Sequence, residues 1–254
     1  MGIELELTQF LEEHIKPGGK KARNIEIVKF YYGLSGSPWP TLEDTASRFS
    51  VGTRERIRQL LNSKFRENVR IDSLPTLHAI VQIFNSRNFW LANELEEQLQ
   101  TLGLIEDATY LKGILNLLED VQIDYGFALC TPELKPASRE AVAKSKNVFL
   151  IKTSILDELT KALKEAKRLP GLLGIANLKY IKNELGENYS IICSLIESLP
   201  EAWVRVVGQD YWYIFENRDN TLINYTEKVF GVIEQCDARR LAVSYANALK
   251  SRSH

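Results

Sequence analysis

The chain has 254 residues, 44% hydrophobic and 26% charged, which is the composition of a folded globular protein and not of a disordered one. Cys130, Cys193 and Cys236 stand far apart and only His14, His78 and His254 are present, which excludes a disulfide framework or zinc knuckle and leaves no metal site, cofactor site or catalytic triad to assemble. The net charge of -1 hides an asymmetry: residues 17–70 hold 11 Lys or Arg against 5 Asp or Glu, a balance of +6, while residues 1–16 stand at -3 and residues 71–254 at -4.

The segment Met1–Ile15 carries Glu4, Glu6, Glu12 and Glu13 where a secretory signal needs basic and apolar residues. No run of about 18 apolar residues follows, so a soluble cytoplasmic protein with no membrane partner is expected. Leu5, Phe10, Leu11 and Ile15 recur at helical spacing and predict a short amphipathic helix with its charged side outward. Lys16-Pro17-Gly18-Gly19 breaks it. A second helix is expected over Asn24–Tyr32 with Asn24 as its cap, then a loop from Gly33 to Pro40. Thr41, followed by Glu43 and Asp44, reads as a helix N-cap, and Leu42, Ala46 and Phe49 supply that helix with an apolar face. Ser50-Val51-Gly52 is a turn, and Thr53 caps a helix running to about Glu67.

Beyond Arg70 the pattern changes. Helices over 76–84, 91–102 and 108–118 lead into a β-prone stretch at 121–129, and Phe149-Leu150-Ile151 then opens a second pass. Helices over 154–166, 175–185 and 189–199 follow, and the alternating run Trp203–Phe215 reads as a β-hairpin turning at Gly208-Gln209-Asp210. Three helices closed by a hairpin form a winged-helix-like unit. The helix starts at Thr76, Thr153 and Thr221 recur at intervals of 77 and 68 residues. The expected fold class is mostly α, with small β-hairpin wings. The expected divisions are 1–72 (first helix and helix-turn-helix), 73–147 and 148–218 (tandem winged-helix-like units), and 219–254, a partial third unit or helical tail.

The most specific signal lies in the basic segment. Thr41-Leu42-Glu43-Asp44, Phe49-Ser50-Val51 and above all Thr53-Arg54-Glu55-Arg56-Ile57-Arg58-Gln59 resemble the fourth conserved region of housekeeping bacterial sigma factors, over about residues 24–67. The resemblance implies a helix-turn-helix that reads duplex DNA, transcription regulation as its use, and base contacts from Arg54, Glu55, Arg58 and Gln59. Helical geometry selects the same four, which fall at i, i+1, i+4 and i+5 on one side, opposite Ile57, Leu60 and Leu61. Their chemistry suits a major groove: Arg for guanine O6 and N7, Gln for adenine, Glu for the cytosine amino group. Lys20, Lys21, Arg23, Thr41, Thr53, Lys64 and Arg66 are the candidates for DNA backbone contact. Two departures from the family stand out. Gly52 is inserted between the turn valine and the helix start, and no part of the chain resembles the helices with which sigma factors bind the polymerase clamp and melt a promoter. A complete sigma factor is therefore not implied.

The later units carry no such charge. Their third helices, within 107–120 and 187–197, are neutral to acidic and would be repelled by phosphates, so architecture or protein binding is expected of them, with Arg205 and Lys182 the few cations available for DNA. Trp203, Tyr211, Trp212, Tyr213 and Phe215 read as core residues and cross-strand pairs in preference to a stacking surface. The function expected is that of a nucleoid-associated, sequence-specific double-stranded DNA-binding protein that dimerises through its C-terminal helices. The alternative is an adaptor docking on RNA polymerase or on a defence or mobile-element complex. An enzyme is not expected, since no nucleophile or metal–carboxylate constellation can be traced.

Overall fold

In the computed structural model, which describes residues 2–144 and 147–251, the chain divides into two compact units, Met1–Leu156 and Asp157–His254. The protein is mostly helical, with two small three-stranded antiparallel sheets.

The first unit begins with α1 (Ile3–His14), which turns Ile3, Leu7, Phe10 and Leu11 inward. Leu5, expected on that face, is half exposed, and Glu4 and Glu6 are buried instead. The reason is a set of distant hydrogen-bond donors that each carboxylate meets. The Glu6 carboxylate accepts from the Thr76 N–H (3.0 Å) at the start of a later helix, and Glu4 accepts from the Glu106 N–H (2.9 Å) and the Thr109 hydroxyl. Helix α2 (Lys21–Tyr31) starts a turn earlier than expected, directly after the Gly18-Gly19 break, so Asn24 lies inside it and does not cap it. Next come α3 (Leu42–Arg48) and α4 (Arg54–Leu61), the latter continued by one π-helical turn over Asn62–Arg66.

The same unit goes on with α5 (Pro75–Phe84), β1 (Phe89–Leu91), α6 (Ala92–Thr101), α7 (Leu111–Val121), β2 (Phe127–Cys130), α8 (Arg139–Lys144) and β3 (Phe149–Lys152). Much of the expected β-prone stretch at 121–129 is not strand. Leu111, Ile114, Leu115, Leu118 and Val121 keep helical spacing and extend α7 until Gln122, at φ 65°, ends it. Strand β3 is the central strand of the order β1-β3-β2, with Leu150 opposite both Trp90 and Leu129. Phe149-Leu150-Ile151 therefore closes the first unit and does not open the second. A run of three apolar residues with no exposure on either face can be satisfied only between two neighbours. Nor does the expected division at 72/73 separate anything: one continuous core joins Ile57, Leu61 and Phe65 to Leu111, Ile114, Leu117 and Leu150.

The second unit comprises α9 (Leu156–Leu173), β4 (Ala176–Asn177), a 3-10 turn (Leu178–Ile181), α10 (Lys182–Leu185), α11 (Tyr189–Glu197), β5 (Ala202–Val207), β6 (Asp210–Phe215), α12 (Thr221–Phe230) and α13 (Ala238–Ser251). The helix expected over 175–185 is broken. Ala176 and Asn177 pair with Tyr213 and Trp212, and the Asn177 side chain accepts from the Lys179 N–H (3.0 Å), which turns the chain into the 3-10 segment. The β5–β6 hairpin turns at Gly208 and Gln209 as its sequence predicts, with Val207 opposite Asp210. Its sheet order, β4-β6-β5, repeats that of the first unit: the third strand in the chain lies between the other two. Tyr211, Tyr213 and Phe215 are buried, with the Tyr213 hydroxyl donating to the Ala166 carbonyl (2.8 Å). Trp203 is exposed, as is Arg205, which lies opposite Trp212.

Candidate nucleic-acid interface

Helix α3 starts from a complete capping box. The Thr41 hydroxyl accepts from the Asp44 N–H (3.1 Å), and the Asp44 carboxylate accepts from the Thr41 N–H (2.8 Å). That backbone bond, joined by the Thr41 hydroxyl and Arg139, holds the Asp44 carboxyl below the ordinary aspartate range. After Phe49 the chain turns through Ser50 (φ 49°) and Gly52 (φ 87°). The inserted residue thus occupies a left-handed conformation that glycine takes without a steric penalty. The Val51 N–H bonds back to the Ala46 carbonyl (3.0 Å), and Thr53 caps α4 by accepting from the Arg56 N–H (3.3 Å).

Helix α4 divides sharply by face. Ile57 and Leu61 have no exposure and Leu60 is partly buried, while Arg54, Glu55, Arg58 and Gln59 are all exposed. Arg56, which spacing places off that face, is exposed as well. These side chains hold one another. Arg58 donates twice to Glu55 (2.9 and 2.8 Å), Gln59 donates to the same carboxylate (3.2 Å), and Arg56 reaches the Gln59 carbonyl oxygen (3.4 Å). The Arg58 bond lowers the Glu55 pKa, and the same bond raises that of Arg58. The face therefore presents a guanidinium fork and an amide, both engaged by a carboxylate that a base or phosphate could replace.

The candidates for backbone contact fall into two groups. Lys20 is exposed and Lys64 partly so, and the side chain of neither has a hydrogen-bond or ion-pair partner among the described residues. The others have partners within the protein. Lys21 donates to the Glu12 carbonyl, and Arg23 to the Phe49 carbonyl in the turn. Thr41 and Thr53 serve as caps. Arg66 donates from Nε and Nη2 to the Asp120 carboxylate (2.9 and 2.8 Å) and from Nη1 to Asn62 (3.1 Å). Burial works against this guanidinium, but Asp120 and the charges around it raise its pKa above the ordinary arginine value.

Arg66 belongs to a set of tethers that fix the α3–α4 pair to the rest of its unit. The Tyr32 hydroxyl also donates to Asp120 (2.6 Å). Gly113 on α7 lies so close to Tyr32 that an added Cβ would overlap the Tyr32 carbonyl. From α8, Arg139 donates to the Trp39 carbonyl (2.9 Å) and to Asp44.

No family model, curated protein or solved structure matches this chain. Among the described residues no group of His, Cys, Asp or Glu is placed to hold a metal ion, and no helix is long and apolar enough to cross a membrane. Sequence reasoning missed Asp120, Tyr32, Gly113 and Arg139. The 88 positions that separate Tyr32 from Asp120 leave no local signal of that contact. Arg56 did carry one, standing at i and i+3 with Gln59 in the same heptad.

Proposed function

We propose that this protein binds double-stranded DNA sequence-specifically and regulates transcription, with α4 entering the major groove. The observation that carries the reading is the division of α4. An exposed group of Arg54, Glu55, Arg56, Arg58 and Gln59 stands on a helix whose other side is fully buried through Ile57 and Leu61, inside the one strongly basic segment of the chain. The α3–turn–α4 order and the likeness of this segment to the fourth region of sigma factors support a helix-turn-helix. Base contacts are assigned to Arg54, Glu55, Arg58 and Gln59. Phosphate contacts are assigned first to Lys20 and Lys64, the two of the backbone-contact candidates whose side chains have no hydrogen-bond or ion-pair partner among the described residues. Residues 156–215 run helix, strand, helix, helix, strand, strand, and residues 75–152 follow the same order with α8 inserted before the last strand; in both, the third strand lies in the middle, which supports winged-helix architecture for these two segments.

The test is a selection from random duplexes, followed by titration of the selected site with wild type and Arg58→Ala. Loss of one bidentate base contact should cost about 1–3 kcal/mol at its base pair and relax preference there. Unchanged affinity together with unchanged preference would refute the assignment. One observation favours a second reading, docking on RNA polymerase or another protein complex. Strand β5 is an open edge carrying exposed Trp203, Val206 and Val207, with Arg205 as its one charge and no Pro. Co-purification with polymerase in the absence of measurable duplex binding would support that reading over the first.

A further inference from the structure

Apolar surface is left uncovered in the C-terminal hairpin of the second unit. Helix α12 has an amphipathic sequence yet no buried residue, and Phe230, Val232, Ile233 and Val243 are all exposed, Val232 to 86%. The hairpin is nevertheless anchored. Asn220 caps α12 at the Leu222 and Ile223 N–H groups and donates to the Pro170 and Gly174 carbonyls. The Tyr245 hydroxyl donates to the Leu173 carbonyl (3.2 Å), the Tyr225 and Tyr245 rings stand 5.5 Å apart, and the Tyr225 hydroxyl meets that of Ser244.

These contacts occupy the Leu222–Tyr225 side of α12. Ile223, Glu227 and Phe230, at i, i+4 and i+7, share the other side. On α13, Tyr245 faces inward, and Arg240, Val243 and Asn247 share a second side next to Arg239. Together with Asp237 and Ser244 these residues line a shallow groove of about 500 Å³. Glu227, Arg239 and Arg240 have no ion-pair partner among the described residues. One hairpin thus carries an apolar ridge with Glu227 between Ile223 and Phe230, flanked by Lys228, and a groove in which Arg239 and Arg240 outweigh Asp237.

We propose that α12 of one copy seats in the α13 groove of a second copy, and the reverse, forming a two-fold dimer. Phe230 packs over Val243, and Glu227 faces Arg239 and Arg240. Charge complementarity selects a second copy as the occupant, because each chain supplies both halves and a two-fold axis uses the pair twice and closes the assembly. Two copies of Phe230, Val232, Ile233 and Val243 withdraw on the order of 800 Å² of apolar surface, close to the apolar share of a standard interface of about 1,600 Å².

The test is sedimentation equilibrium on the full chain without DNA, so its result is independent of whether α4 reads a duplex. A dimer is expected at tens of micromolar. Phe230→Asp and Val243→Asp should each yield monomers with unchanged helical circular dichroism. Glu227→Arg and Arg240→Glu should each raise the dissociation constant roughly tenfold, and their combination should recover dimerisation, because the swapped charges meet again across the axis. The combination keeps the proposal decidable if an apolar-to-Asp variant fails to fold. A wild type monomeric at all concentrations overturns the proposal, as does a dimer indifferent to these changes or a double variant weaker than both singles. A monomer that instead captures a different protein also counts against it.

Discussion

Replacing Gly113 with alanine sets two effects of opposite sign against each other. In an exposed helix the change would stabilise by about 1 kcal/mol, since alanine is the better helix former. Here the new methyl would lie 2.7 Å from the Tyr32 carbonyl carbon and 3.2 Å from the Gly33 Cα, and closer still to the Tyr32 oxygen. The opposing atoms are backbone and cannot rotate away, so α7 must retreat from the end of α2 by more than about 1 Å, at a cost of about 1–3 kcal/mol for overpacking. That retreat also stretches the bonds of Tyr32 and Arg66 to Asp120, on the same helix, at 2.6 and 2.9 Å. Each bond to a charged group is worth about 1.5–3 kcal/mol. The clash should win, leaving a net destabilisation of about 2–4 kcal/mol confined to the first unit. Urea unfolding by circular dichroism and tryptophan fluorescence measures it, with Gly18→Ala as control, since nothing lies within 4 Å of a Cβ there. A Gly113→Ala protein as stable as wild type would refute the close approach of α7 to α2.

Three further outcomes are expected. Arg66→Ala, which leaves Asp120 only the Tyr32 hydroxyl, should destabilise the first unit by about 2 kcal/mol in the same unfolding assay, whereas a loss within 0.5 kcal/mol would mark the pair as ornamental. Glu55→Gln frees the Arg58 fork and removes a charge that repels phosphate. Binding to random duplex at low salt should tighten about tenfold while discrimination among sites falls, and an unchanged random-duplex affinity would show that Glu55 does not restrain Arg58. Burial pushes the Cys193 thiol up to about 11, so at pH 8 its alkylation, measured with Cys130 and Cys236 replaced, should run roughly 100-fold slower than that of an ordinary thiol. The rate should keep climbing about tenfold per pH unit until about pH 11; a plateau near pH 9 would contradict the burial of that side chain.

What was legible in the sequence was whatever rests on neighbours along the chain. Thr41 with Asp44, Thr53 with the turn before it, the buried side of α4 and the turn at Gly208 all follow from spacing of a few residues, and the structure has them where the spacing puts them. Features that depend on distant partners were misread. Glu4 and Glu6 look like surface charges until the free N–H groups near Thr76 and Glu106 come to them. Phe149-Leu150-Ile151 looks like the start of something new because both its neighbours, β1 and β2, precede it in the chain. Arg66 has the same sequence context as Lys64 yet is engaged by Asp120, and only the packing of α7 separates an arginine held within the fold from a lysine facing solvent.

The tether from Arg66 to Asp120 also bears on how the protein is made. The two residues are 54 positions apart, so a ribosome adding about 5–20 residues per second needs roughly 3–11 s to bring the second after the first. For that interval α4 exists without the helix that completes its core, and Ile57, Leu61 and Phe65 have yet to meet Leu111, Ile114 and Leu117. The unit's sheet waits longer, because its middle strand is the last to emerge. A shortened chain ending before α7 should therefore behave as an unfolded, aggregation-prone segment and not as a small autonomous domain. In the cell, the α3–α4 pair would mature only when the first unit is complete.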